Sequence, residues 1–156
     1  MRRYTEQIEF SDFLPGLRAI DKKQTIQNIS WRIGRQTNAD MTWIADQLLL
    51  SEEKQSSGIG EGVAILHLKS TPLKEPFILL ARLDAPIAFD AVDGRDVDIL
   101  CAVLSPQMDG NLHLQRLSRV TRILLDPAIQ EQIRSAHTEE DMQAIFQAEN
   151  PHFMAA

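Results

Sequence analysis

The sequence has one cysteine, few aromatic side chains and no long apolar run. The single cysteine, Cys101, excludes an internal disulfide, and a lone thiol inside an apolar run usually behaves as a small hydrophobic side chain. No run approaches the roughly 18 apolar residues that a membrane-spanning helix requires. Residues 1–3 are largely basic, but polar residues 5–7 follow where a signal peptide needs its apolar segment. We therefore expect a cytoplasmic protein that does not insert into membranes.

Positive charge is also scarce. The 156 residues include 16 Lys and Arg against 22 Asp and Glu, which gives a formal net charge of −6. Such a chain lacks the overall basic surface with which many proteins attract phosphate backbones, so we expect no nucleic-acid partner. Local basic clusters could still contact an acidic partner protein. The length suits a single domain, residues 1–156, with a substantial core.

The pattern of apolar residues predicts a single α/β (α+β) domain in which a mixed β-sheet is flanked by helices. Strands are expected at residues 17–20, 63–68, 77–83 and 97–104. The first follows a Pro-Gly turn signal, and the last is apolar enough to be buried on both faces. Helix starts are expected at the N-cap residues Asp21, Asn38, Asn111, Asp126 and Thr138. The predicted order is β-α-α-β-β-β-α-α-α.

A glycine-rich segment, residues 56–62, precedes the strand at 63–68. It carries three glycines within five positions, which is too many for the interior of a helix or strand. Backbone N–H groups in such a loop can hold an anion, because no side chain blocks its approach. The segment is neither a nucleotide P-loop nor a Rossmann fingerprint, since a strand follows it where both motifs need a helix. A purely structural tight turn is the alternative interpretation.

Two of the four histidines have suggestive surroundings. His67 lies near the end of the strand that leaves the glycine segment, so a free ring nitrogen beside loop donors could accept a phosphoryl group. A core histidine bonded to a backbone carbonyl is the alternative. His113 falls in the first turn of a predicted helix, where the helix dipole favours a neutral ring. No two histidines, His137 and His152 included, have the spacing of metal ligands, so we expect neither a metal site nor a cofactor.

Residues 57–67, Ser-Gly-Ile-Gly-Glu-Gly-Val-Ala-Ile-Leu-His, resemble the active-site segment of the mannitol/fructose-type enzyme IIA family of bacterial phosphotransferase systems. That family typically shows a Ser/Thr-Gly-Ile-Gly loop, a small apolar strand and then Pro-His-Gly. The resemblance continues through residues 81–94, 97–100 and 112–114 to Ile145, and covers about residues 12–148. Its middle section is most like the nitrogen-regulatory (PtsN-like) branch, whose members are not fused to sugar-transport domains.

The resemblance implies a phosphoryl carrier with a mixed sheet flanked by helices. By this resemblance His67 is the phosphoacceptor and His113 the second active-site histidine. The implied phosphate-binding loop consists of Ser57, Gly58, Ile59 and Gly60. The implied donor is a phosphohistidine on a carrier protein of the HPr or NPr type, and no cofactor is implied. The implied regulated targets are partner proteins such as kinases or ion transporters.

The chain departs from the family pattern at three positions. Leu66 replaces the proline before the acceptor, and Leu68 replaces the glycine after it. Ser51 stands where the family usually has an arginine that helps to bind the incoming phosphate. Losing a bidentate guanidinium removes charge stabilisation, which Lys54 could restore only as a point charge.

Three functions therefore remain open. The chain could be a regulatory enzyme IIA whose phosphorylation state controls its binding to partner proteins. It could instead pass phosphate to a separate sugar-transport IIB subunit. It could also be a binding module that has lost efficient phosphorylation, which the missing arginine favours and the retained pair of histidines opposes. The absence of a fused transporter domain favours the first function over the second.

Overall fold

The computed structural model describes residues 8–147. The strands are β1 (Asp12–Leu17), β2 (Gly58–Gly60), β3 (Val63–Thr71), β4 (Phe77–Ile87) and β5 (Val97–Pro106). The helices are α1 (Lys22–Thr37), α2 (Met41–Lys54), α3 (Leu112–Leu124), α4 (Pro127–Ser135) and α5 (Glu139–Ile145). A short 3-10 turn, Gln107–Asp109, lies between β5 and α3. No helix in the described range is long and apolar enough to cross a bilayer.

The five strands form one mixed sheet in the order β1-β4-β5-β3-β2. β1 runs parallel to β4 and β3 runs parallel to β5, whereas the other two pairs are antiparallel. As its apolar run predicts, β5 is buried along almost its whole length between β3 and β4. Because β3 and β5 run in the same direction, their carboxyl ends meet at one edge of the sheet.

Alternate residues of β3 contribute to two separate cores, one on each face of the sheet. Val63 and Ile65 belong to the core that α3, α4 and α5 cover. Ala64 and Leu66 belong to the core that α1 and α2 cover. Side chains of a strand alternate with a period of two, so His67 falls on the α3 side of the sheet.

The predicted fold class is confirmed, but the predicted order lacks one strand and misplaces another. The glycine segment contains the short strand β2, which pairs with β3. The first strand is β1, not residues 17–20, and Ile20 is 82% exposed. Pro15 and Gly16 lie inside β1 instead of forming a turn before it. Proline is tolerated there because β1 is an edge strand, where a missing N–H need not break the sheet.

The helix starts predicted at Asp21, Asn111, Asp126 and Thr138 are confirmed, and the start predicted at Asn38 is wrong. The side chains of Asp21, Asp126 and Thr138 accept hydrogen bonds from the first turns of α1, α4 and α5. Asn38 instead ends α1 in a left-handed conformation (φ 62°), and Asp40 caps α2. Asn111 precedes α3 without a side-chain capping bond.

We predict that the carboxylate of Asp12 fixes the edge strand to α1. Arg32 donates to it from Nε and Nη2 at 2.6 and 2.9 Å, and Asp12 is only 7% exposed. Asp12→Asn should therefore lower the free energy of unfolding by about 1–3 kcal/mol, because a buried charge-assisted pair is lost. Urea denaturation measures this loss. Asp84→Asn is the matched control, since Asp84 pairs with the exposed Arg18 and its loss should leave the midpoint unchanged. Equal losses in the two variants would contradict the prediction.

Candidate functional site

His67 and His113 meet at the edge of the sheet where β3 and β5 end. His67 Nδ1 lies 3.1 Å from His113 Nε2, and the ring centroids are 5.2 Å apart. His67 is on β3, and His113 is the second residue of α3, which begins shortly after β5 ends. The ring of His67 bonds to another side chain and keeps part of its surface in solvent, so the core-histidine interpretation is wrong. Its Nε2 is the ring nitrogen left available for chemistry.

Behind His113, a chain of polar groups continues into the protein. His113 is only 3% exposed, and its Nδ1 lies 2.7 Å from Ser105 Oγ. Arg116 donates from Nη1 to the same hydroxyl at 2.8 Å. Nη2 of Arg116 lies 2.7 Å from Asp109 Oδ2, an ionic contact whose alignment is not that of a hydrogen bond. His67 is therefore the outer end of a linked series of five side chains.

Sequence reasoning missed Ser105 and Arg116, although both left a signal. Ser105 is a polar residue at the end of the buried apolar run of β5, and a buried hydroxyl requires a partner. Arg116 follows His113 by three residues, a spacing that places both on one side of a helix.

Both histidines of the pair are biased toward the neutral form. Burial, with smaller contributions from the nearby His67, Arg116 and Lys69 charges, lowers the pKa of His113 to about 4. Partial burial and the Lys69 ammonium also lower the pKa of His67 below the ordinary histidine value. A neutral imidazole has one nitrogen with a free lone pair, which is the form that can act as a nucleophile.

A cavity of about 350 Å³ opens beside His67. Ser57 and Ile59 of the predicted phosphate-binding loop line it, together with Ser51 and Lys54 from the last turn of α2. Ser51 also lines a second cavity on the His113 side of His67, so position 51 lies at the junction of the two. The structure thus brings most of the predicted site residues together, but Gly58 and Gly60 of the predicted loop line neither cavity.

The backbone amides at the start of the glycine loop already have internal partners. Ser57 N donates to Glu52 Oε2 at 2.9 Å, and Gly58 N donates to Ser56 Oγ at 3.0 Å. The Oγ of Ser57, in contrast, is buried beside the cavity and has no hydrogen-bond partner within the described residues. A buried hydroxyl without a partner is costly, so a ligand oxygen in the cavity would satisfy it. The hydroxyl of Ser57 is therefore one available donor in this stretch.

The glycines themselves have a structural role. A Cβ atom at Gly58 would lie 2.7–2.8 Å from the Cβ and Cα atoms of Ala91, so only glycine allows this approach. Gly62 has a φ of +79°, and a Cβ there would lie 2.6 Å from Arg134 Nη2. The structural interpretation of these two glycines is therefore supported.

An ion-pair network fixes the loop from the other side. The largely buried Glu52 carboxylate that accepts from Ser57 N also pairs with Lys22 Nζ at 2.9 Å. Lys22 reaches Asp90 as well, at 3.0 Å, and lies over the ring of Phe89. The beginning of α1 therefore holds the end of α2 and, through it, the serine beside the cavity.

The other histidines and the cysteine do not contribute to this site within the described residues. His137 has its Nδ1 3.4 Å from Arg82 Nη2 and lines neither cavity. His152 lies outside the described residues. Cys101 is fully buried, and burial raises the pKa of its thiol far above the ordinary value, so no reactive thiolate forms there. Residues 8–147 contain no group of three or more side chains placed to hold a metal ion.

The low pKa of His113 predicts a pH-dependent stability. In the folded protein the pKa of His113 is about 4, below the ordinary 6.5. Between these two pH values the ring is protonated in the unfolded chain but not in the folded protein. Stability should therefore fall as pH falls from about 6.5 to about 4, by about 3 kcal/mol for this group. Urea denaturation of the wild type and of His113→Gln across this range isolates the contribution. Parallel pH profiles for the two proteins would contradict it.

Comparisons with known proteins identify the family of this chain. The family described as "Phosphoenolpyruvate-dependent sugar phosphotransferase system, EIIA 2" matches residues 11–149. A "Nitrogen regulatory protein" from Bradyrhizobium diazoefficiens is 34% identical over 142 residues, 91% of this chain and 91% of that protein.

Two solved structures share the fold. The nitrogen regulatory protein IIA-Ntr from Neisseria meningitidis matches with a TM-score of 0.80 at 25% identity, covering 92% of this chain and 98% of that chain. Enzyme IIAMTL from Escherichia coli, solved in complex with phosphorylated enzyme IIBMTL, matches with a TM-score of 0.70 at 12% identity, covering 85% of this chain and 92% of that chain. From the match over residues 11–149 and the 34% identity, this chain belongs to the EIIA 2 family of the phosphoenolpyruvate-dependent sugar phosphotransferase system.

Proposed function

We propose that this chain is a cytoplasmic phosphoryl carrier that accepts a phosphoryl group on Nε2 of His67 from a phosphohistidine carrier protein. The observation that carries the proposal is the arrangement of His67 itself. Its Nδ1 faces His113 at 3.1 Å, its Nε2 is left available, and the cavity beside it contains the unpartnered hydroxyl of Ser57. A neutral nucleophile, a second imidazole and a free donor are the parts that phosphoryl transfer needs.

The transfer step balances without exchange of a proton with solvent. The lone pair of His67 Nε2 attacks the phosphorus of the carrier's phosphohistidine, whose other ring nitrogen carries a proton. A new P–N bond forms while the old one breaks, and its electron pair leaves with the carrier's imidazole, which becomes neutral. His67 becomes the phosphorylated imidazolium and keeps its proton on Nδ1, where Nε2 of His113 accepts it. Ser57 Oγ donates to an equatorial oxygen of the group in transit.

An apolar rim on the α3 side of the site supports docking of another protein. Met108 is 95% exposed and Leu114 65% exposed, and Leu112 beside them is also exposed. Leu114 lines the second cavity together with His67 and Lys69, so the rim adjoins the acceptor. Large exposed apolar side chains next to a reactive group are typical of a protein-binding surface. The occupant proposed here is a phosphocarrier of the HPr or NPr type, which must bring its own histidine to Nε2 of His67.

We favour a regulatory role for this phosphorylation. The relative from Bradyrhizobium diazoefficiens that is 34% identical is named a nitrogen regulatory protein, and the match extends over 91% of both chains. Phosphorylation converts a neutral ring beside an exposed apolar rim into a strongly charged group, which would change the partners that the surface binds. The regulated partners would be proteins such as kinases or ion transporters. Transfer to a separate sugar-transport IIB subunit is the alternative, as is docking without efficient phosphorylation.

We predict that His67→Ala abolishes phosphorylation. The wild type should acquire one acid-labile, base-stable phosphate from phosphoenolpyruvate, the donor enzyme and the carrier protein, because His67 is the one histidine among residues 8–147 that lines the cavity beside Ser57. Labelling with radioactive phosphate and mass spectrometry of the peptides measure this. His137→Ala is the matched control and should be labelled normally. Label that persists on His113 in His67→Ala would show that the acceptor is assigned wrongly.

We predict that Ser51→Arg accelerates the transfer about tenfold. Position 51 adjoins both cavities beside His67, so a guanidinium there can reach the phosphate. A hydrogen bond to a charged group contributes about 1.5–3 kcal/mol, which is enough for roughly a tenfold change in rate. Single-turnover transfer from the phosphorylated carrier gives the rate, and Ser51→Gln controls for side-chain length without charge. A slower rate in Ser51→Arg than in Ser51→Gln would disprove the placement of the phosphate near this position.

A further inference from the structure

His113 can support His67 in only one protonation state. For Nε2 of His67 to have a free lone pair, the proton of the neutral ring must lie on Nδ1, which faces His113 at 3.1 Å. His113 must then accept that proton with an unprotonated Nε2. A protonated His113 carries N–H groups on both nitrogens, so His67 would have to accept with Nδ1 and hold its own proton on Nε2. The attacking lone pair would be absent.

The charges around His113 act against its protonation. The charged and titratable groups that face it are His67 and Lys69 of β3, Asp109 of the 3-10 turn and Arg116 of α3. The positive charges of Lys69 and Arg116 disfavour a further positive charge on His113. Asp109 acts in the opposite direction, but its carboxylate is paired with Arg116 Nη2 at 2.7 Å.

Arg116 is connected to His113 through a single buried hydroxyl. Its Nη1 lies 2.8 Å from Ser105 Oγ, and this oxygen lies 2.7 Å from Nδ1 of His113. Ser105 is completely buried, and the side chain of Arg116 is only 14% exposed, so water screens the arrangement weakly. The guanidinium therefore lies on the side of His113 opposite to His67, where it can both orient the ring and repel a proton.

We propose that Arg116 is a positioning residue for phosphoryl transfer, which acts through Ser105 to hold His113 as an oriented, neutral acceptor for the Nδ1 proton of His67. This inference rests on the proposed function of His67. Arginine at position 51 would act on the phosphate directly. Arg116 instead supports the nucleophile from behind, three hydrogen bonds away from the reacting ring of His67.

The first test needs no phosphoryl donor. Protein labelled with nitrogen-15 in its histidines reports the titration of each ring by nuclear magnetic resonance. In the wild type, His113 should stay neutral down to about pH 4. Arg116→Gln keeps a donor for Ser105 but loses the charge, so the titration of His113 should rise toward the ordinary value by about one pH unit. Asp109→Asn should not raise it.

Arg122→Gln is the matched control, because it removes the same charge from an exposed position on the same helix. In single-turnover transfer at neutral pH, Arg116→Gln and Ser105→Ala should each be at least tenfold slower than Arg122→Gln, since misplacing a catalytic group by about 1 Å can cost 100-fold. Thermal unfolding confirms that each variant is folded.

An unchanged titration of His113 in Arg116→Gln, or a transfer rate equal to that of Arg122→Gln, would overturn the inference. A wild-type protein that accepts no phosphate would overturn the proposed function instead. The titration of His113 would then still decide whether Arg116 acts on that ring.

Discussion

The contact between His67 and His113 depends on the parallel pairing of β3 with β5. The register places His67 opposite Val103, two residues before Ser105. β3, which carries the proposed acceptor, and β5, which carries the buried hydroxyl, therefore end side by side. α3 begins shortly after β5 and returns its second residue, His113, to the same edge. A shift of one residue in β3 would turn His67 into the opposite core, and the same shift in β5 would turn Ser105 away from α3, because side chains alternate between the two faces. The chemistry of the site therefore rests on the register of two buried strands.

Two ion pairs lie near this contact, one on each side of the site. The Lys22–Glu52 pair fixes the loop that carries Ser57, and it lies on the α1 and α2 side of the site. The Asp109–Arg116 pair lies on the α3 side and reaches the site through a neutral hydroxyl. Each pair matches a positive with a negative charge near the proposed acceptor ring, which the proposed transfer step needs in its neutral form. The net charge of −6 of the whole chain gives no indication of these two ion pairs.

Much of the fold follows from local patterns, whereas the interior of the site does not. The β-rich run at residues 63–68 and the apolar run of β5 predict strands, and the caps of α1, α4 and α5 are visible as single residues. β1 is hidden because its Pro15-Gly16 pair is typical of a turn, and only its place at the sheet edge explains why the strand tolerates it. The loop and the two histidines could be singled out from sequence. Their link to Ser105 and Arg116 could not, because it depends on how α3 packs over the end of β5.

Leu66 stands where the family usually has proline. This substitution affects how much backbone conformational entropy the proposed acceptor, His67, would lose on reaction. With leucine at this position, the pairing of β3 with β5 continues without a break from Val63 to Leu68, so His67 is carried by a regular strand. A residue in a regular strand samples few backbone conformations, and fixing each free residue would cost about 1–2 kcal/mol in conformational entropy. The acceptor backbone is thus ordered when the chain folds and not when the carrier arrives.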